Sequence, residues 1–600
     1  MNHTSISSDL YRAAADQEAS SRLWMSVFGR SITYGQLCKT IRQVGGLLAR
    51  QGIRLGDRVV MSLANDGDAA LLFVALVSHG VTVVQLDPET PAARAIALIR
   101  RARPALAMLD SGLCAAWSDD QRDCPVLDVV APQQTRSRGF SALLGAPRVA
   151  SALENLLQHE VPTEPPSSIP AETLAYILFT SGTTGASKGV CISHRALFSH
   201  LASLRTVYRL DRNSRILNTL MLSHADGSIQ GPLLAFACGA SLHRPLRFEI
   251  GAIERLLDSV YQLRITHMIV VPTMMALFVR LGGARRDAFQ GGDFRSLISC
   301  GGALEPALWT AMQQAFSVAI INGYGLTETV AGGVFSGEGL SANQPGSIGR
   351  PVDCDLRIVD DDGHDAAEGE LLIRGDLLMS GYFDDPERTS EALIDGWLHT
   401  GDIARQDEAG DHWICGRKKS VIIRGGLNIH PEEIAEVLNQ HPAVRDAIAF
   451  GAPDPDWGET VTAMVAADAS VSPEQLMIFC RERLEARKVP SRIVVTTELP
   501  TGRSGKVMID EARALAATSG TTAGTVDIDA LVLKTAAEMF GVEASRLSLA
   551  TTPQSVVGWD SLAHLNLVFA IEEAFDIKLT PREIMGLDSL GMIAEIVRSR

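Results

Sequence analysis

Several things are missing from this chain of 600 residues. No apolar run reaches the length of about 18 residues that a membrane-spanning helix needs. The first residues, Met1 to Gln17, are polar and lack the apolar core of a secretory leader. The nine cysteines stand singly, with no C-x-x-C pair, which excludes a sequence-local zinc site and a disulfide framework. Scattered thiols fit a reducing cytoplasm. Positive charge is scarce: 54 Lys and Arg against 70 Asp and Glu leave a net charge of −16. That balance argues against nucleic acid or an anionic membrane as the main partner, or it simply keeps the protein soluble. What is present is ordinary for a globular protein, with 46 % hydrophobic and 21 % charged residues. The length exceeds what one core supports, so roughly two to four domains are expected.

The chain is organised around Leu178-Phe-Thr-Ser-Gly-Thr-Thr-Gly-Ala-Ser-Lys-Gly-Val190. The apolar run Leu174 to Phe179 reads as a buried strand that ends in Thr180-Ser181-Gly182-Thr183-Thr184-Gly185. Glycines let the backbone turn and approach a ligand closely. Hydroxyls and backbone N–H groups then wrap an anion, most naturally a phosphate chain, and Lys188 adds a mobile positive charge. This is not the Walker loop, because Ser187 precedes Lys188 and Gly189 follows it. The plainer reading is a Gly/Ser/Thr surface loop.

Upstream, a helix pattern runs through Ile41, Val44, Leu47 and Leu48. Asp57 to Met61 reads as a strand, Asp68 to Ser78 as a helix and Val81 to Leu86 as a strand. Such alternation predicts a parallel sheet covered by helices. Downstream, Leu222-Ser-His-Ala-Asp-Gly-Ser228 precedes a helix expected from about Gly231. Thr266 to Val271, Ser296 to Ala303 and Ala319 to Glu328 each run from an apolar strand into Pro or Gly. Ligands gather at the carboxyl ends of strands in open α/β sheets, so these ends are candidates for one shared site. Beyond Gly346 short strands appear, and from Lys419 a small α+β unit follows, with a strand over Val421 to Ile423 and a helix opened by Pro431. Ala516 to Thr525 is small, uncharged and aperiodic, hence a flexible linker with a root-mean-square span of roughly 16–19 Å. The remainder reads as short helices.

The order Ser-Gly-Thr-Thr-Gly-x-x-Lys-Gly after a strand resembles the phosphate-binding loop of the adenylate-forming superfamily: acyl- and aryl-CoA ligases, peptide-synthetase adenylation domains and luciferases. The likeness spans roughly residues 20 to 510. It implies a large α/β adenylation core over 1–416 and a small mobile α+β subdomain over 417–515. The linker 516–525 and an all-α carrier bundle over 526–600 would follow. By the same resemblance Thr180, Ser181, Gly182, Thr183, Thr184, Gly185 and Lys188 hold the phosphates of ATP. Gly301, Gly302 and Ala303 line the adenine and acyl sites. In the second signature, with Asn322, Gly323, Tyr324 and Gly325, Tyr324 lies on adenine. Thr327 bonds the α-phosphate, and Glu328 holds Mg²⁺, a hard cation that prefers carboxylate oxygen. Asp402 matches the ribose-binding carboxylate, with Arg417 its partner. Lys419 is the hinge pivot, Gly425 and Gly426 border the pantetheine tunnel, and Lys506 bridges carboxylate and phosphate oxygens during adenylation.

Gly558-Trp-Asp-Ser-Leu562 opens a helix with Leu562, Leu565, Val568, Ile571 and Phe575 on one side. It resembles acyl and peptidyl carrier domains, whose serine bears 4′-phosphopantetheine; a helix N-terminus suits that phosphodiester. Asp588-Ser589-Leu590 repeats the tripeptide, but only residues 590–600 follow, too few for the remaining helices of a carrier. Ser561 is therefore the expected attachment site. The hinge region, Arg417 to Ile429, resembles CoA ligases more than peptide-synthetase domains. At the pocket entrance His224-Ala225-Asp226 stands where amino-acid-activating domains place an aspartate for the ammonium. His224 matches the CoA-ligase form, in which it gates the carboxylate. The expected activity is ATP-dependent activation of a small carboxylic acid and its transfer to the thiol on Ser561, a loading step in peptide-synthetase- or polyketide-like biosynthesis. A phosphopantetheinyl transferase and a downstream acceptor enzyme are the implied partners. The alternatives are a ligase using free CoA, an amino-acid-activating module, and a nucleotide-binding scaffold without chemistry.

Overall fold

A computed structural model describes residues 11–12, 15, 20–118, 122–129, 151–180, 187–340, 343–360, 362–417, 422–425, 427–429, 431–454, 457–467, 471–497, 499, 512–513, 515–516, 528–540, 542, 546–556, 559, 561–575, 577, 579, 583–584 and 587–598. Two sheets form the large part. In the first, Arg58–Ser62, Thr82–Gln85, Leu106–Leu109, Val126–Asp128 and Leu174–Thr180 run parallel. Lys188–Ser193 folds back antiparallel on Leu174–Thr180, and Gly381–Tyr382 forms the edge. Val59, Val60, Val83, Val84, Ala107 and Ile177 are fully buried. Continuous apolar runs of this kind belong to strands covered on both faces.

The second sheet has nine strands. Its parallel centre places Arg215–Asn218, His267–Val270, Ser296–Ser299 and Ile320–Tyr324 side by side. Antiparallel strands flank both edges. The parallel pairing expected from the alternation holds for Arg58–Ser62 and Thr82–Gln85, and antiparallel strands at the edges make both sheets mixed.

Helices start where their caps dictate. Thr33 and Gln36 form a reciprocal capping box ahead of Tyr34–Arg50. Pro272 and Pro306 occupy the first turns of Pro272–Leu281 and Pro306–Phe316, where a missing N–H costs nothing.

The helix expected from Gly231 begins earlier, at Ala225. Ala225–Ser228 is α-helical, Ile229–Leu233 is a wider π turn, and Leu234–Cys238 is α-helical again. Gly231 there leaves helical geometry at φ −106° and ψ −107°. Pro232 has no N–H to donate and its ring crowds the preceding turn, so the ladder widens at this point.

A five-stranded antiparallel sheet follows, built from Asp355–Val359, Glu368–Arg374, Trp397–Gln406, Leu393–Ile394 and His412–Arg417. The small subdomain is a second five-stranded sheet: Ile422–Arg424, Leu427–Ile429, Val444–Asp454, Gly458–Ala467 and Arg492–Thr496, with helices Pro431–Asn439 and Pro473–Arg481. Ala516, read from sequence as the first linker residue, is buried with Ala512 against Phe450 and Met464. Two alanines four residues apart share a helix face, so the packed unit extends through 516. The tail contributes helices Ile528–Phe540, Ser561–Phe575 and Leu590–Arg598. Among the described residues no helix is long and apolar enough to cross a membrane. All nine cysteines are free, and of these only Cys415 is exposed.

Candidate active site

The strand ends singled out from the sequence do converge. Thr180 and Lys188 are paired across the first sheet, and Thr180 Oγ1 donates to the Lys188 carbonyl at 3.5 Å. Lys188 Nζ lies 4.9 Å from the centroid of Tyr382, whose strand adjoins Val190 and Cys191. Tyr382 in turn donates its hydroxyl to Glu328 Oε1 at 2.8 Å. Burial, reinforced by the Glu328 charge, raises the Tyr382 phenol, which keeps it a donor. The Glu328 backbone is fixed as well, its carbonyl accepting from Met379 N at 2.8 Å. Lysine, tyrosine and glutamate therefore link the phosphate-loop strand to the Thr327–Thr329 turn.

On the second sheet, Ser299 is in register with Asn322, so the Cys300-Gly301-Gly302-Ala303 turn lies beside Gly323 and Tyr324. Tyr324 donates its hydroxyl to Asp402 Oδ2 at 2.6 Å. Asp402 is 1 % exposed and pairs with Arg417 across neighbouring strands. Asn322 donates to the Ser347 carbonyl at 3.3 Å, which directs its buried Oδ1 elsewhere. That oxygen has no partner among the described residues. An orphaned buried acceptor beside an aromatic ring suits the exocyclic amine of adenine. Glu328 makes no ion pair among the described residues, so its carboxylate is available to a magnesium ion carried on a triphosphate. Both groups fit this site.

A third cluster was not foreseen from the sequence. Asp87, read there only as a turn residue, accepts from Ser223 Oγ at 3.2 Å and from Arg487 Nη2 at 2.7 Å. Burial opposes the Asp87 charge, yet the Arg487 guanidinium and the Glu89 backbone N–H, among other contributions, together hold the carboxyl below its ordinary range. His224 stands in this field at the start of Ala225–Ser228. Burial first, and the Arg487 charge second, push its imidazole down to about 4, so it is neutral at pH 7. His224 Nε2 is shielded and has no partner among the described residues. Asp226 points elsewhere, with Gln230 Nε2 donating to its Oδ1 at 2.7 Å.

The same contact face continues into a second ionic lattice. Arg94 of the large part meets Glu433 at 2.6 Å and Glu485 at 3.7 Å. Lys488 meets Glu485 at 2.6 Å and Glu433 at 3.3 Å. Two cations and two anions thus neutralise one another between the subdomains. Arg94 also reaches Ser187 Oγ at 3.5 Å, at the exit of the phosphate loop. Gly425, at φ +57°, sits against this boundary; a Cβ there would lie 2.7 Å from Trp457 and 3.1 Å from Thr273 Oγ1. Glycine is required both by the left-handed backbone and by the space. No local sequence signal announces the Asp87–Arg487 pair, since 400 residues separate its members.

Ser181 to Gly185, Lys419, Gly426 and Lys506 lie outside the described residues. Ser561 is the first residue of its helix. Just before it, buried Trp559 stacks near Phe540 at 4.5 Å and donates to His564 Nδ1 at 3.2 Å. His564 Nε2 bonds the Ile584 carbonyl at 3.2 Å. Burial lowers this histidine, so it is neutral at pH 7, with Nδ1 the acceptor and Nε2 the donor. These bonds anchor the N-terminus of the serine-bearing helix.

Three family descriptions match the chain: AMP-binding enzyme over residues 11–383, AMP-binding enzyme C-terminal domain over 433–506, and phosphopantetheine attachment site over 530–597. The sulfoacetate–CoA ligase of Cupriavidus necator is 31 % identical over 487 residues, covering 80 % of this chain and 91 % of that protein. The indoleacetate–CoA ligase of Aromatoleum aromaticum is 30 % identical over 81 % of this chain and 94 % of its own length. Among solved structures, the amide bond synthetase of Marinactinospora thermotolerans superposes with a TM-score of 0.70 at 26 % identity, over 85 % of this chain and 99 % of that one. These likenesses join the site geometry in one conclusion: the chain belongs to the ATP-dependent AMP-binding, adenylate-forming ligases of the acyl-CoA ligase kind, and carries a phosphopantetheine attachment domain.

Proposed function

We propose that this protein activates a carboxylic acid lacking an α-amino group as its acyl-adenylate and loads it onto phosphopantetheine carried by Ser561. In the first half-reaction a carboxylate oxygen attacks the α-phosphorus of ATP, the bond to the β-phosphate bridging oxygen breaks, and pyrophosphate leaves. In the second, the pantetheine sulfur attacks the acyl carbon, the acyl–oxygen bond breaks, AMP leaves, and the thiol proton passes to solvent. Thr180 to Gly185 and Lys188 hold the phosphates, with Thr327 on the α-phosphate and Glu328 on magnesium. Tyr324 and Asn322 take the adenine, and Asp402 with Arg417 takes the ribose. Neutral His224 stands at the carboxylate, and Lys506 supplies the charge that bridges it to the phosphate. Ala225 cannot pair with an ammonium, and Asp226 is already bonded to Gln230, which supports an acid without an amine.

The observation that carries the reading is the phosphopantetheine attachment domain fused to the ligase, with Ser561 opening an anchored helix. The face of the small subdomain turned to the large one carries Arg424, Gly425, Arg487 and Lys488, which supports thiol delivery as the orientation described here. The return to adenylation is a rotation about Lys419. The second reading, a ligase releasing acyl-CoA, is favoured by the CoA ligases among its relatives.

Mass spectrometry separates the two. Treatment with a phosphopantetheinyl transferase and CoA adds one pantetheine mass, and ATP with the right acid then adds one acyl mass to the same peptide. Ser561→Ala abolishes both and Ser589→Ala neither. Efficient acyl-CoA release by the unmodified protein would establish the second reading instead.

A further inference from the structure

The carrier is not merely tethered; it is seated. Helix Pro272–Leu281 lies at a three-way junction. Its first turn meets the small subdomain, where Thr273 stands against Gly425. Its last turn meets the carrier: Arg280 Nη2 donates to both carboxylate oxygens of Glu572, at 2.9 and 3.2 Å. The Glu572 side chain is 2 % exposed. Inside the carrier it is oriented by a second donor, Leu579 N, at 2.8 Å from Oε1. A carboxylate oriented in advance loses less rotamer freedom when the arginine arrives.

Apolar packing surrounds the pair. Val568 and Ile571 of the carrier helix belong to one continuous buried cluster with Leu277, Phe278 and Leu281. Trp457 of the small subdomain packs against the same cluster. The carrier helix also touches the turn Ile250–Ala252. About three helical turns, roughly 16 Å, separate Glu572 from Ser561, and roughly 10 Å separates Arg280 from Thr273.

We propose that the Arg280–Glu572 ion pair is the docking determinant that holds this chain's own carrier on helix Pro272–Leu281 for thiol delivery. The proposal rests on the carrier-loading reading above. Before docking, a linker alone gives an effective concentration of order millimolar. The pair converts that diffuse tether into one pose beside the Gly425 boundary. It also selects the partner: a carrier with a neutral or basic group at this position leaves Arg280 without its carboxylate, which sets this carrier apart from others in the same cell.

The test uses the full-length holo-protein. Glu572 shapes the carrier itself, so the perturbation belongs on the other side, with Arg280→Ala and the charge-reversed Arg280→Glu. Pyrophosphate release and phosphopantetheinylation of Ser561 are expected to remain as in the unmutated protein, the latter certifying a folded carrier. Single-turnover acyl transfer to Ser561 is expected to slow roughly ten- to hundredfold in Arg280→Ala, the effect of one charge-assisted contact, and further in Arg280→Glu. Arg280→Lys is expected to keep most of the rate. Transfer to free pantetheine in solution is expected to be unchanged in all three. Equal loading rates in the three variants would overturn the docking role while leaving the loading reading intact. Absence of any acyl transfer to Ser561 in the unmutated holo-protein would overturn both. Parallel loss of pyrophosphate release would assign Arg280 to the fold of the large subdomain and overturn the docking role.

Discussion

Replacing Arg487 by methionine tests the contact between the two subdomains. The stem keeps its length; the charge goes. In the protein this guanidinium meets Asp87 at 2.7 Å, with side chains 18 % and 14 % exposed. Its backbone carbonyl also accepts from Arg424 Nη1 at 3.1 Å, a bond the substitution leaves in place. Removing one partner of a fully buried pair costs about 3–5 kcal/mol, chiefly because the other charge is stranded. Here both groups keep some contact with water, so the figure for a hydrogen bond to a charged group, about 1.5–3 kcal/mol, is the better guide. That is roughly 10- to 150-fold in the equilibrium between this orientation and the rotated one proposed above. Single-turnover acyl transfer to Ser561 should fall within that range, while pyrophosphate release is retained. The double variant Asp87→Asn/Arg487→Met should lose less than the sum of its parts, because no carboxylate is left stranded. Unchanged transfer, equal loss of both half-reactions, or strict additivity in the double variant would refute the argument.

Two further outcomes follow from the same structure. Burial lowers His194, His224, His243 and His267 to about 4 and His200 to about 3. Their folded values lie below the unfolded value of about 6.5, so the stability they contribute is complete above that pH and drains away as pH falls towards 4. Each group steepens acid unfolding by up to about 1.4 kcal/mol per pH unit, and His200→Leu should flatten the pH dependence of the urea-derived unfolding free energy by up to that amount; an unaltered slope sinks the assignment. Tyr382→Phe deletes the 2.8 Å bond to the Glu328 carboxylate and, at about 1.5–3 kcal/mol, should raise the KM for Mg-ATP roughly 10- to 150-fold, with little change in unfolding midpoint. An unchanged KM would show that Glu328 needs no such orientation.

Local chemistry was legible in the sequence, and long-range chemistry was not. The run Leu174 to Phe179 announces the strand Leu174–Thr180, because apolar continuity is a property of neighbours. The same holds for Tyr324-Gly-Leu-Thr-Glu328 and for Ser561 at its helix start. Asp87-Pro88 looks like any turn until Arg487 arrives from the other subdomain. Tyr382 carries no sequence signal for Glu328, since the two stand 54 positions apart. The π turn at Ile229–Leu233 escaped for a different reason: proline marks a break but does not tell whether the helix stops or widens.

The cysteine pattern gives the molecule a chemical handle. Burial lifts the thiols of Cys38 and Cys114 to about 11 and those of Cys191, Cys238, Cys354 and Cys480 to about 12, which suppresses the reactive thiolate. Cys415 alone is exposed, in the strand His412–Arg417. Before pantetheine is attached, an alkylating dye or a mild oxidant will therefore meet this one thiol first. A fluorophore placed there, without any engineered residue, sits on the strand paired with Trp397–Gln406 and would report the subdomain rotation proposed above.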